Sequence, residues 1–323
     1  MWPFHPSAGA WETVRLKYFR NPHAALCPGS GLYAFFNGDN ILGTMGAYPM
    51  PITLDGSVHA GHLLADWAVL PQHQYGRAAG SLWNALLGLP GRKFTTIGSR
   101  AAQRVFEKRA ARIRSGSNAV AVLRPFEVTL LRAQRLEGYA YPSPLLLDQG
   151  ALPQSVEARL ADSFRAPMPY HTSGTAFVVR DREFWDLVCS VRLLDAAIPL
   201  NLGSATGEGN VVLRLLEVGR FRYAILLAMQ LVPASFENAR NVGALLRQAL
   251  LAMGVAMIRL VDGDELTSEV LRFLSLFVFR REHFWYAIRR PSDTFQLEDV
   301  RWWLTNADAD SLWGGSQPIA PHS

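Results

Sequence analysis

Cysteine is nearly absent from this chain. Cys27 and Cys189 are the two among 323 residues, and no Cys-x-x-Cys occurs. Neither a disulfide framework nor a zinc site is indicated, and buried free thiols are expected. A Gly-x-Ser-x-Gly elbow, a Walker phosphate loop and a His-Glu-x-x-His pair are also missing. Serine hydrolase, P-loop nucleotide and zinc protease chemistry therefore lose their usual support, and no metal is expected. The start, Met1-Trp2-Pro3-Phe4-His5-Pro6, has neither the basic opening nor the apolar core of a secretory signal. The longest apolar region, Tyr223 to Pro233, is too short to span a bilayer. A cytoplasmic protein without membrane insertion is the expectation.

With 49% hydrophobic and 18% charged residues the chain reads as globular. Its length suits about two domains of roughly 100–200 residues each. The net charge of +5 and a pI near 9.4 suit an anionic partner.

The most informative stretch runs from Leu64 to Leu87. Leu64 to Leu70 is mostly apolar, as in a largely buried strand, and Pro71 stops it. The next residues, Gln72 to Gly80, are polar and then small, and they open onto Ser81 to Leu87 at helical spacing. A helix N-terminus leaves backbone N–H groups unpaired and carries roughly half a positive charge, so this order suits a phosphate. Upstream, residues 10–30 read as helical and loop material. Leu32 to Phe36 is a strand, Asn37-Gly38-Asp39-Asn40 a hairpin turn, Ile41 to Ile52 a second strand, and Asp55-Gly56 another turn. His59 to Leu70 then makes a third, so three antiparallel strands precede the loop. Downstream, Pro90-Gly91 ends the helix and Phe94 to Ile97 is a strand. Ser99 suits the N-cap of a helix through Ala111 with Arg100, Arg104, Lys108 and Arg112 along one side. Ala119 to Leu123 is a closing strand. Residues 138–170, rich in Pro and Leu, read as a linker.

Val69-Leu70-Pro71 and the loop after it resemble the GNAT superfamily of acyl-CoA-dependent N-acyltransferases. Its signature is a splayed strand ending in Val-x-Pro, then a Gln/Arg-x-x-Gly-x-Gly/Ala pyrophosphate loop. Gln74-Tyr75-Gly76-Arg77-Ala78-Ala79 places Arg77 where glycine is usual, and His73-Gln74-Tyr75-Gly76-Arg77-Ala78 places histidine where Gln or Arg is usual. The resemblance covers about residues 30–125. It implies acyl-CoA or acetyl-CoA as donor, held by Val69 and by the loop Gln74, Tyr75, Gly76, Arg77, Ala78, Ala79 and Gly80. A GNAT helix near residue 100 commonly carries a Tyr that protonates the departing thiolate. Phe106 stands there and has no proton to give.

The second half repeats this order. Thr175 to Val179, Val211 to Val218 and Phe221 to Val232 read as strands, the last ending at Val232-Pro233. A helix follows from Ala244 to Leu251, then a strand from Val255 to Val261 and a helix from Leu266 to Phe277. The interval from Pro71 to Pro233 matches that from Gly80 to Gly243 to within one residue. In place of the first loop stands Ala234-Ser235-Phe236-Glu237-Asn238-Ala239-Arg240-Asn241, where Glu237 repels a diphosphate. The fold expected is α/β (α+β), with two GNAT-like domains, each a mixed, largely antiparallel sheet flanked by helices. The N-terminal domain would run over 1–137, the linker over 138–170 and a degenerate second domain, helping to form the acceptor surface, over 171–323. Arg301 to Asp310 resembles C-terminal segments of some GNAT-like proteins of polysaccharide or natural-product pathways.

Amine acylation needs a base for the amine proton. Strand alternation puts His62 and Asp66 on one face, with Asp66 the first candidate base and His62 the second. The expected activity is transfer of an acyl group from acyl-CoA, or a carrier-protein thioester, to a primary amine of a small molecule. Transfer of an aminoacyl group from tRNA, as in Fem-type enzymes, and a non-catalytic binding module for acyl-CoA or a carrier protein are the alternatives. No DNA partner is expected.

Overall fold

The computed structural model describes residues 14–54, 56–73, 76–96, 110–125, 143–144, 158–160, 175–185, 197–204, 207–218, 221–262, 264–288 and 300–303. The strands of the first third are β1 (Gly31–Asn37), β2 (Asn40–Pro49), β3 (Ile52–Leu54), β4 (Ser57–His59), β5 (Gly61–Val69) and β6 (Arg92–Thr96). Then follow β7 (Ala110–Val122), β8 (Ser143–Pro144), β9 (Ala158–Leu160), β10 (Thr175–Val178), β11 (Ala197–Ser204) and β12 (Gly207–Val218). The last are β13 (Phe221–Val232), β14 (Val255–Asp262), β15 (Phe277–Ile288) and β16 (Arg301–Trp303). The helices are α1 (Arg77–Leu87), α2 (Phe236–Ala252) and α3 (Glu265–Leu274), with a π-helical turn at Arg15–Phe19 and 3-10 turns at Pro22–Leu26 and Pro71–His73. No helix among the described residues is long and apolar enough to cross a membrane.

Two compact units divide the chain: Met1–Ser115 with His171–Val179 and Phe284–Trp303, and Gly116–Tyr170 with Arg180–His283 and Leu304–Ser323. The division is interleaved, where the sequence pattern suggested consecutive blocks over 1–137 and 171–323. Strand pairing is the reason. β10 pairs antiparallel with β3 and parallel with β16, which returns two late segments to the first unit. β8 and β9, inside the stretch expected as a linker, pair with β12 and β11 in the second.

In the first unit β1, β2 and β5 are antiparallel, β6 runs parallel to β5, and Trp285 to Ala287 of β15 pairs antiparallel with β6. β16, β10, β3 and β4 form a separate small sheet. The run expected as one strand over Ile41 to Ile52 breaks because Pro51 has no N–H, and Met50 donates to the Gly61 carbonyl at 2.9 Å. Gly61 allows that approach, since a Cβ there would overlap the Met50 carbonyl. α1 begins at Arg77, one turn before the expected Ser81. It lays Leu82, Trp83 and Leu86 on Met45, Ala47 and Leu64, each worth about 1.5–3 kcal/mol when fully buried. The expected Ser99 cap and Phe106 lie outside the described residues, as do Arg100, Arg104 and Lys108. Ala110 and Ala111, expected at a helix end, open β7 instead.

The second unit orders its strands β7, β14, β13, β12, β11, β9, antiparallel throughout except for β13 and β14. Leu213, Leu215, Ala224, Leu226 and Ile258 pack with Val242, Leu246 and Leu250 of α2 and Val270, Leu271 and Leu274 of α3. Both helices are capped: Ser235 Oγ accepts from Asn238 N at 3.2 Å, and Asp264 Oδ1 accepts from Thr267 N at 2.8 Å. They cross at Gly243, where a Cβ would sit 2.8 Å from the Val270 carbonyl oxygen and 2.9 Å from the Phe273 Cβ. Beside the crossing, buried Glu269 accepts from Arg240 Nε at 2.7 Å and from an Arg272 nitrogen at 2.9 Å. The Arg240 hydrogen bond above all holds the Glu269 carboxyl below its ordinary value of 4.5.

Gly243→Val is expected to cost about 1–3 kcal/mol by overpacking, read as a lower urea midpoint with an unchanged slope. A folded-state pKa that lies below the unfolded one stabilises above the unfolded value, and the contribution fades as pH falls through the folded value. Glu269→Gln should therefore lower the urea midpoint at pH 7 by more than at pH 3. An equal loss at the two pH values would remove the ion pair as its cause.

Candidate active site

Two structural decisions in β5 build the site. The first is where its pairing ends. β5 stays with β2 out to Val69, opposite Gly43, and Leu70 N then donates to the Leu42 carbonyl at 2.9 Å. With β6 it pairs only over Gly61 to Leu63. One further tie follows, from Thr95 Oγ1 to the Leu64 carbonyl at 3.3 Å. Among the described residues no ladder joins β5 to β6 beyond Leu63, and β5 continues to Val69 with β2 as its strand partner.

The second is a β-bulge. Gly46 faces Ala65 and Thr44 faces Ala68, so Met45 alone opposes both Asp66 and Trp67. Asp66 has φ 52°, the one positive value among described residues other than glycine. The bulge resets the alternation of side chains. Leu64 packs on α1, and Trp67 stacks on Trp83 of α1 with centroids 5.8 Å apart and planes at 27°. Asp66 instead turns to the face shared by Ala65 and Gly46. There its Oδ2 accepts from Lys17 Nζ at 2.8 Å and from the Tyr18 hydroxyl. Asp66 and His62 thus do not share a face, contrary to the strand rule, because the rule assumes an unbroken ladder.

His62 is fully buried on the α1 side. Its Nε2 lies 3.0 Å from the Pro90 carbonyl, to which it donates, and its Nδ1 lies 3.3 Å from Ser30 Oγ. Its register neighbour Lys93 donates to the carbonyls of Leu89 and Gly91. Together they clip the chain leaving α1, which is a packing role, and the ring has no exposed surface from which to reach an amine. Cys27 is also buried, and that burial pushes its thiol above the ordinary value. Asp66 keeps 27% of its side chain exposed.

The loop after β5 turns through Pro71–His73, with His73 N bonded to the Leu70 carbonyl and Gly76 N to the His73 carbonyl. Gln74 and Tyr75, two of the expected loop contacts, lie outside the described residues. Gly76 is the N-cap of α1 and offers no side chain as a cap. The N–H groups of Arg77, Ala78 and Ala79 have no acceptor among the described residues. A Cβ at Gly80 would meet nothing within 4 Å, and one at Gly76 would meet only the His73 carbonyl oxygen at 3.5 Å. Val69, Gly76, Arg77, Ala78, Ala79 and Gly80 are therefore brought together at one end of β5. A shallow cleft of about 190 Å³ opens beside them, lined by Ile41, Leu42, Gly43, Thr44 and Leu70. It falls short of the ~300 Å³ of small-ligand pockets, so it is a rim of the site and not a chamber.

The second unit has the same skeleton with its opening filled. β13 pairs with β14 only from Arg222 to Ile225 and continues to Val232, with a bulge at Leu227. Ser235 caps α2, and the Asn238 side chain donates to the Glu208 and Pro233 carbonyls at 3.0 and 2.8 Å. Glu237 lies in the first turn. Ser235 thus takes an amide that a phosphate would use, and Glu237 repels one.

Sequence reasoning missed Lys17, Tyr18 and Gly46. Adjacent Lys17-Tyr18 before a proline-led turn gave one faint signal, but the partner lies 48 residues away from Tyr18.

No family model matches the chain, and no curated protein matches it. Among solved structures it is similar to a probable N-acyltransferase from Enterococcus faecalis V583, at 10% identity and a TM-score of 0.49, over 88% of this chain and 66% of that one. It is also similar to Saccharomyces cerevisiae N-myristoyltransferase with bound myristoyl-CoA, at 7% identity and a TM-score of 0.49, over 93% of this chain and 81% of that one. A third is Eis1 from Mycobacterium abscessus, at 17% identity and a TM-score of 0.42, over 86% and 69%.

Proposed function

We propose that the first unit binds an acyl-CoA and transfers its acyl group to a primary amine. The observation that carries this reading is the start of α1 just after β5, where the amides of Arg77, Ala78 and Ala79 have no acceptor among the described residues. Among the described residues β5 pairs with β6 over Gly61 to Leu63, and in this reading the pantetheine arm runs beside the stretch of β5 beyond it. Immediately beyond, the amides of Arg77, Ala78 and Ala79 converge at an uncapped helix start, which suits a diphosphate.

The chemistry is attack of the neutral amine on the thioester carbonyl. The C–N bond forms, the C–S bond breaks, and the thiolate takes its proton from water. Asp66, at the bulge in this stretch of β5 and partly exposed, receives the proton that the amine loses. Val69 lies at the end of the same stretch and in this reading flanks the thioester. Phe106 leaves the common tyrosine acid without a counterpart in the sequence.

Gly76→Asp tests the cradle with little cost to the fold. The φ of −103° and ψ of −165° suit any residue, and an aspartate there caps the amides that the phosphate would use. The expected result is an unchanged or slightly higher melting temperature without ligand, and loss of the several-degree rise given by saturating acyl-CoA. Retention of that rise would remove the loop from the binding site. Asp66→Asn is expected to lower turnover by about 10²–10⁴-fold while acyl-CoA still protects. Binding by the wild type with no turnover across a broad amine panel would identify a thioester-binding module instead.

A further inference from the structure

Lys17 and Tyr18 are consecutive, yet both are buried, at 3% and 1% exposure. The π-helical turn at Arg15–Phe19 presents both inward. They meet Asp66 across 49 and 48 residues of sequence, and both donate to the same atom, Oδ2. The sheet is shaped to admit them. Gly46 has no side chain where one would overlap the Tyr18 hydroxyl. The bulge with its left-handed Asp66 turns the carboxylate off the α1 face, and Thr44 Oγ1 approaches the Asp66 carbonyl at 3.5 Å. Lys17 Nζ also lies 5.2 Å from the centre of the Tyr18 ring.

A buried ammonium is a poor device for stability alone, because apolar side chains of the same volume commonly do as well or better. A turn, a glycine and a bulge nevertheless converge on holding this one. What they fix is the direction of a carboxylate. Two donors on one oxygen pin the plane of the group, while the side chain keeps about a quarter of its surface exposed.

We infer that Lys17 and Tyr18 are positioning residues for Asp66 in amine acylation, a role that rests on the acyltransferase reading. As the amine attacks and the C–S bond breaks, the amine proton passes to Asp66, which later returns it to water. Lys17 stays an ammonium and Tyr18 a phenol throughout. Their task is to keep the carboxylate from rotating out of reach of the nitrogen, and a misplacement of about 1 Å can cost about 10²-fold.

Steady-state kinetics of full-length Tyr18→Phe, Lys17→Met, Lys17→Arg and Asp66→Asn, and of each of the first two combined with Asp66→Asn, test the role with acyl-CoA and an amine that the wild type accepts. Tyr18→Phe and Lys17→Met should each lower kcat about 10–100-fold, with KM for acyl-CoA changed less than about threefold. Lys17→Arg should recover most of the loss. In the Asp66→Asn background neither substitution should lower kcat further, since residues that act through one group are not additive. If Lys17→Met does not fold, Tyr18→Phe, which removes one oxygen, carries the test. An active wild type whose Tyr18→Phe variant keeps its kcat, or loses the same factor with and without Asp66, overturns the positioning role alone. A wild type that transfers no acyl group to any amine rejects the acyltransferase reading and this inference with it.

Discussion

A buried strand must satisfy its backbone donors and acceptors on both edges, and among the described residues β5 is joined to its two neighbouring strands over unequal lengths. Its ladder with β2 runs the full length, while its ladder with β6 ends at Leu63 opposite Phe94. Unmet peptide groups in a protein interior are costly, of the order of 1–3 kcal/mol each. The first turn of α1 poses that problem just after β5, since it is left without a side-chain cap. Elsewhere the chain caps its helices with Ser235 and Asp264, so the bare start of α1 stands apart among the described helices.

The parts of this arrangement set by local chemistry were legible in the sequence. Pro71 stops a strand, small residues start a helix, and Asn37 to Asn40 turns a hairpin, because each rests on the backbone preferences of a few neighbouring residues. The bulge was not legible. Nothing next to Asp66 announces an extra residue, and a period-two reading carried past it assigns Asp66 to the α1 face. The result was a false pairing with His62 and a missed pairing with Lys17. Gly46 escaped notice for a related reason: a glycine in a strand signals close approach, but what approaches is a tyrosine from a distant turn. The interleaved units were equally hidden, since the return of β10 and β16 to the first unit is a matter of strand partners and not of composition.

The second unit separates what the skeleton requires from what the chemistry requires. β13 repeats the short parallel ladder, the continuation beyond it, the bulge and the helix that follows. A common path can thus be kept while the opening is closed. Its bulge residue is Leu227, fully buried and without a carboxylate, and one amide at its helix start, that of Asn238, meets Ser235. The matching glycine is also put to another use. Gly80 faces open space on α1, whereas Gly243 lets α2 and α3 touch. The first unit instead keeps Gly76 and Ala78 at those amides and, ten residues before Gly76, a carboxylate held by two buried donors, so the two units share a path and differ in the polar groups placed along it.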